Sequence, residues 1–270
     1  MLRAPRSRVP VRVMIRSYGV SESGGVRPRN EDCFLADERL SLFVVADGMG
    51  GHAAGDVASR VAVESILGFI DRSHDGTDLS WPCGVDPALT LSGNRVRTAI
   101  HLAHRRVCEV AEDHDGYAGM GTTVVCALIR DRHLAFGHVG DSRLYVFSRG
   151  VLQQQTRDDT WAATVLGARA DEDAAAVATH PLRHVLTNVL GAMEPDIHVA
   201  ERELADGEML LLCTDGVHTV VDPETLVALL SAGGDVREIA DAVVAAALER
   251  GSRDNVTALL VRYVERDGHV

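Results

Sequence analysis

Three largely apolar runs in this chain end in an aspartate: Val44-Val45-Ala46-Asp47, Gly137-His138-Val139-Gly140-Asp141 and Leu211-Leu212-Cys213-Thr214-Asp215. A short apolar run closed by a turn signal reads as a strand buried on both faces. Asp254 stands just before another apolar run, Ala258 to Val264, and Asp32 follows a short polar stretch. One such aspartate is usually a turn former, because Asp and Gly suit tight turns. Four in one chain point to a shared purpose, since acids gathered at one edge of a sheet repel unless a cation holds them. Hard divalent cations take carboxylate and carbonyl oxygens, and strand ends are rigid mounts for them.

The rest of the chain supplies the frame. Residues 12–20 read as a first strand and Leu40 to Ala46 as a buried one. Residues 54–71 read as a helix with Val57, Val61 and Leu67 on one side. Val96, Ile100, Ala103, Val107 and Val110 form an apolar stripe that predicts a stronger helix over 93–113. Thr122 to Ile129, His133 to Val139, Arg143 to Phe147 and Glu208 to Cys213 read as strands. Residues 72–92 lack periodicity and read as a loop. Residues 156–195 read as irregular, with an acidic, Ala-rich helical stretch near 170–178. Asp222-Pro223 and Asp235 with Glu238 are helix starts, and Gly251 is a stop. Strands and helices fall in blocks, which favours an α+β layered sheet over a doubly wound one.

Composition removes rival chemistries. All 27 basic residues are arginine, so no Walker-A, kinase or Schiff-base lysine exists. Net charge is −12, and Met1 to Arg16 holds five arginines and no acid, leaving −17 on the remainder. Such a body is a poor nucleic-acid binder. The N-terminus lacks the apolar stretch of a secretory signal and reads as a solvated basic arm. No window of 18 apolar residues offers a membrane span. Five cysteines without a CxxC pair argue against zinc or disulfide frameworks and for reduced thiols in a cytoplasmic protein. His101 and His104 share a helix face and read as packing residues. With 46% hydrophobic content, 270 residues suffice for one large domain or two small ones.

Two cations about 3.5–4 Å apart can share a water and lower its pKa towards neutrality, giving a nucleophile without lysine, cysteine or serine. Glycines after Asp47 let the backbone come close to such ions, and one carbonyl can serve as a ligand. Arg27 can clamp a phosphate through two hydrogen bonds. His52, five residues beyond Asp47, can donate a proton to a leaving alkoxide. Taken singly, Arg27 more often makes a surface ion pair and His52 a structural contact.

Six motifs then stand in one order: Arg27-Pro28-Arg29-Asn30-Glu31-Asp32, Ala46-Asp47-Gly48-Met49-Gly50-Gly51-His52, Gly121-Thr122-Thr123, Val139-Gly140-Asp141-Ser142-Arg143, Thr214-Asp215-Gly216 and Arg253-Asp254-Asn255-Val256-Thr257. Their order and wording, over about residues 14–264, resemble the protein phosphatase 2C family of metal-dependent phosphatases, its bacterial branch in particular. The resemblance implies a four-layer α-β-β-α sandwich, two antiparallel sheets flanked by helix pairs, in one catalytic domain over 14–267. A basic arm over 1–13 would precede it, and a flap would span about 155–190. It implies hydrolysis of phosphoserine and phosphothreonine in proteins by direct attack of a metal-bridging hydroxide, using two Mn²⁺ or Mg²⁺ ions and a weaker third. Asp47 would bridge both metals, Gly48 would offer its carbonyl, and Asp215 and Asp254 would complete the second site. Glu31 and Asp32 would act through metal-bound waters, and Asp141 with Asp215 would hold the third ion. Arg27 would bind the phosphoryl group, and His52 would be the general acid. The implied setting is a cytoplasmic monomer, with no nucleic-acid or membrane partner, opposing a serine/threonine kinase.

Two departures lie in the flap: Asp159 stands where an Asp-His pair is usual, and Asn188 where an arginine is frequent. An inactive sensor or binding module on the same fold, and a hydrolase of a small phosphorylated metabolite, are the alternative readings. Retention of Asp47, Asp215, Asp254 and Arg27 argues against the first.

Overall fold

The structure is a computed structural model that describes residues 12–51, 54–74, 81–167, 180–182 and 184–266. Two antiparallel sheets form its centre. The first has the order β1 (Arg12–Glu22), β11 (Val256–Arg266), β10 (Met209–Cys213), β7 (Arg143–Ser148), β8 (Val151–Gln154). The second has the order β2 (Asp32–Asp37), β3 (Leu42–Met49), β5 (Val124–Arg130), β6 (His133–Val139), β9 (His198–Glu203), with the short β4 (Gly121–Thr122) on β3.

The apolar runs are buried on both faces because each inner strand feeds two cores. Along β3, Leu42, Val44 and Ala46 face one core while Phe43 and Val45 face another. On β10 the split is Leu211 and Cys213 against Leu210 and Leu212. This is the two-residue period of a strand between two layers. The shared core lies between the sheets, with Tyr263 and Phe43 fully buried in it. Helices α1 (Ala54–Ser73) and α2 (Leu91–Asp113) cover the β3 sheet. Outside the other sheet lie α5 (Pro223–Ser231) and α6 (Val236–Glu249). Short helices α3 (Trp161–Gly167) and α4 (Asp215–His218) follow β8 and β10 in the chain. The result is the expected four-layer α-β-β-α sandwich of the α+β class.

Cap signals act as read. Asp222 Oδ1 accepts the Thr225 N–H at 2.8 Å, and Asp235 and Glu238 form a reciprocal capping box. The α1 face differs from the reading. Ala58, Ala62, Val63, Ile66 and Ile70 carry the buried stripe, while Val57, Val61 and Leu67 lie at its margin. Small Ala58 and Ala62 let the helix approach β3 closely. Strand β3 also runs past Ala46 to Met49, because Gly48 and Met49 pair with Thr122 and Gly121. Strand β1 begins at Arg12, inside the segment read as an arm. The first eleven residues and the acidic, Ala-rich stretch near 170–178 lie outside the described residues.

Candidate metal centre

The period that builds the sandwich delivers the acids to one edge. Asp47 continues the inward-facing series Phe43, Val45, and its strand partner in register is Asp32. Asp215 opens α4 just after β10, and Asp141 follows β6 at a turn in which Gly140 takes φ of 97°. Asp254 precedes β11. Four separate strands thus bring their acids to one cleft of about 810 Å³, whose lining includes Arg27, Glu31, Asp47, Asp141, Asp215 and Asp254.

Hydroxyls fix this framework. Asp32 Oδ2 accepts from Thr214 Oγ1 at 2.9 Å and from Thr257 Oγ1 at 2.6 Å, which ties the two sheets together. The Asp47 N–H donates to Thr123 Oγ1 at 3.0 Å, and its carbonyl accepts from Thr123 N–H and Thr122 Oγ1 at 2.9 Å each. Thr123 Oγ1 is 2.7 Å from Ser142 Oγ, beside Asp141. The Asn255 side chain accepts the Glu31 N–H at 2.9 Å and donates to the Arg29 carbonyl at 2.8 Å.

The glycines serve close backbone packing. A Cβ on Gly48 would lie 2.0 Å from the Gly55 carbonyl oxygen and 2.6 Å from that of Glu31. On Gly216 it would lie 1.9 Å from the Asn255 carbonyl oxygen. The bare Gly48 Cα is therefore required by neighbouring backbone, a reason beyond the approach to an ion expected from the sequence.

The electrostatics leave the acids short of positive charge. Among the described residues, neither Asp32, Asp47, Asp141 nor Asp215 forms an ion pair, and Oδ1 of Asp32 and of Asp215 has no hydrogen-bond partner. Burial pushes Asp32 up to about 7, against the two threonine hydroxyls, with Asp215 and Asp254 adding to the rise. Burial, then the Asp215 charge, takes Asp141 up to about 8. Burial, then Asp254, takes Asp215 up to about 6, while Arg27 and a hydrogen bond from Asp47 oppose it. Asp47 itself is raised well above the usual carboxylate range by burial and then by its acidic neighbours. Crowding and burial penalise the charged carboxylates, a penalty that a divalent cation among them would relieve. The orphaned oxygens and the all-oxygen donor set fit hard divalent cations, and Asp47, Asp215, Asp254 and Asp141 are the acids placed to hold them.

Arg27 stands on the rim. Its Nη2 donates to Asp254 Oδ2 at 2.7 Å, and half of its side chain is exposed to the cleft. That hydrogen bond raises its pKa, against burial. Glu31, just ahead of β2, faces the start of α1, where burial raises its pKa while Arg27 and the Gly55 N–H oppose the rise. His52 lies outside the described residues. From the 155–190 segment the cleft also takes Leu186 and His184, the latter not singled out by the sequence. His104 is buried and its Nδ1 accepts the Gly191 N–H at 3.2 Å, the packing role expected of it.

The protein phosphatase 2C profile matches residues 27–251, spanning the first five of the six motifs and ending just before Arg253. The chain belongs to the protein phosphatase 2C family. It is 33% identical over 259 residues to the serine/threonine protein phosphatase PstP of Mycobacterium tuberculosis, covering 95% of this chain and 46% of that protein. It thus spans about half the length of that relative. It is 33% identical over 255 residues to the serine/threonine phosphatase stp of Listeria monocytogenes, covering 92% of this chain and 94% of that one. The fold matches the crystal structure of Mycobacterium tuberculosis PstP/Ppp with a TM-score of 0.80 and 31% identity, over 93% of this chain and 99% of the other. It matches the PstP catalytic domain in complex with 2 manganese ions with a TM-score of 0.78 and 30% identity, over 94% and 100%. Within this phosphatase 2C fold, the two flap departures prove to be partners: Asn188 Nδ2 donates to Asp159 Oδ2 at 2.7 Å.

Proposed function

We propose that this chain is a metal-dependent protein serine/threonine phosphatase, hydrolysing phosphoserine and phosphothreonine monoesters without a phospho-enzyme. The observation that carries this reading is the convergence of acids from both sheets, of which only Asp254 has a cationic partner among the described residues, beneath an arginine half-exposed at the cleft rim. The names of the bacterial relatives support the substrate class. The manganese in the PstP structure supports the metal.

Asp47, Asp215 and Asp254, with the Gly48 carbonyl, would hold two Mn²⁺ or Mg²⁺ ions. Asp141 with Asp215 would hold a weaker third. When bound, the ions supply charge neutralisation and an acidified water as nucleophile. The side chains around them do the remaining work. Asp32, locked by Thr214 and Thr257, sets the spacing between the sheets beneath the acids, and Glu31 completes the acidic floor. Arg27 binds the phosphoryl oxygens and orients the ester for in-line displacement. His52 is the candidate proton donor to the leaving serine or threonine oxygen.

The catalytic unit would span 14–267 as one domain, with a flap over about 155–190 and a basic arm over 1–13. A monomer acting in the cytoplasm against a cognate serine/threonine kinase is the setting we infer. Five free cysteines agree with a reducing compartment, and among the described residues no helix is long and apolar enough to cross a membrane. The test is release of phosphate from phosphoserine and phosphothreonine peptides, dependent on Mn²⁺ or Mg²⁺ and abolished by EDTA. Metal-replete protein that leaves such peptides intact, or cleaves only small phosphorylated metabolites, would contradict the reading.

A further inference from the structure

A second polar cluster lies outside the acid cleft, at the flap stem. His138 on β6, His198 on β9 and Asp159 each offer one ligand atom, and these three atoms lie within 4.8 Å of one another. They come from three separate segments and line a cleft of about 700 Å³. Nothing in the phosphatase reading uses them.

His138 and Asp159 are held from behind. His138 is buried, and its Nε2 lies 2.8 Å from the Arg157 carbonyl. A carbonyl can only accept, so Nε2 carries the proton and Nδ1 keeps the lone pair of the neutral ring. Burial lowers the His138 pKa, which favours that neutral, ligating form. A backbone carbonyl behind one ring nitrogen is the usual support of a metal-binding histidine. Asp159 Oδ2 accepts from the Gly140 N–H at 2.9 Å and from Asn188 Nδ2 at 2.7 Å. Its other oxygen, Oδ1, is 3.1 Å from His198 Nε2. The two imidazoles stack at 4.9 Å between centroids with planes 28° apart. His198 is half-exposed, so an ion has a route in.

We propose that His138, Asp159 and His198 form a binding site for a divalent transition-metal ion of the zinc class. Two imidazoles and one carboxylate suit Zn²⁺, Co²⁺ or Ni²⁺ over Mg²⁺ and Ca²⁺, which take oxygen sets. Three protein ligands leave a fourth position for water. The ion would fasten the flap stem to the sheet. The Asp159 carbonyl accepts from Thr187 N–H at 2.8 Å and from Thr187 Oγ1 at 3.0 Å, and the flap closes there through a Thr160–Leu186 bridge. Through the Gly140 N–H, the same carboxylate reaches the turn that carries Asp141.

The experiment is a Co²⁺ titration of tag-free full-length protein in saturating Mg²⁺, read by the visible ligand-field bands of cobalt. One equivalent of Co²⁺ is expected, displaced by one of Zn²⁺. The bands should disappear in His198→Ala and in the near-isosteric His198→Gln. They should persist in Asp47→Asn, whose change lies in the acid cleft. Asn188→Ala should weaken binding by about 10–100-fold, as loss of a supporting partner does. Wild-type protein without the bands, or bands unchanged in folded His198→Gln, would overturn the site. Bands lost in Asp47→Asn would place the cobalt at the acid cleft and also overturn it. None of these outcomes bears on phosphopeptide hydrolysis.

Discussion

Two sets of carboxylates in this molecule are buried to similar depth and treated in opposite ways. Asp158 receives both arms of Arg143, at 2.8 and 2.7 Å, and Glu208 is held by Arg202 at 3.0 and 3.1 Å. Asp32, Asp47, Asp141 and Asp215 have no such partner among the described residues, and burial pushes all four upward. A fold that can place an arginine against a buried acid but leaves four acids bare at one edge has not simply run short of cations. The bare set marks where external cations enter, and the paired set marks where the fold holds itself together.

That contrast can be broken experimentally. The largest effect is expected at Asp254→Asn, which should lower Mn²⁺-dependent turnover by about a thousandfold or more, since charge neutralisation by metals is worth several kcal/mol. Phosphate-release rates within tenfold of wild type would misplace the site.

The next concerns pH. Asp141 is raised to about 8 and Asp32 to about 7, so the metal-free folded state keeps protons that the unfolded chain releases above its usual carboxylate values near 4. Their stabilising contribution is present below about pH 4 and is lost as pH rises through 7 to 8. The gain in Tm on adding Mn²⁺ should therefore grow from pH 5 to pH 8. Parallel melting curves with Mn²⁺ and with EDTA would mean that the acids do not meet the metal.

Asp158→Ala acts on the paired set. It strands a largely buried guanidinium and should cost about 2–3 kcal/mol, a fall in Tm of roughly 5–10 °C by calorimetry. No change in Tm would make the pairing ornamental. Smallest is Arg27→Ala, expected to raise KM by about tenfold with less effect on kcat, because the exposed guanidinium binds ground-state phosphate. A loss confined to kcat would place its action in the transition state.

The same contrast explains what the sequence displayed. Inner strands such as β3, β5 and β10 were legible because both faces are buried and the run is apolar throughout. The acids were legible because each interrupts such a run. Strands β2, β8 and β9 were not, since each has solvated positions and charged or polar residues that break the apolar signal. The hydroxyl network of Thr214, Thr257, Thr123 and Ser142 joins residues far apart in the chain. Its only trace is that these residues fall inside the quoted motifs. His138, Asp159 and His198 meet only because β6 pairs with β9 and the flap folds back, and no local spacing announces that.

The most direct measurement counts ions and turnover together. Equilibrium dialysis with Mn²⁺, in a His198→Ala background that removes the proposed flap-stem site, should give at least two ions per chain along with phosphopeptide hydrolysis. Adding Asp47→Asn should remove both. Full metal content with full turnover in the Asp47→Asn protein would contradict the assignment of the bare strand-end acids as the metal centre.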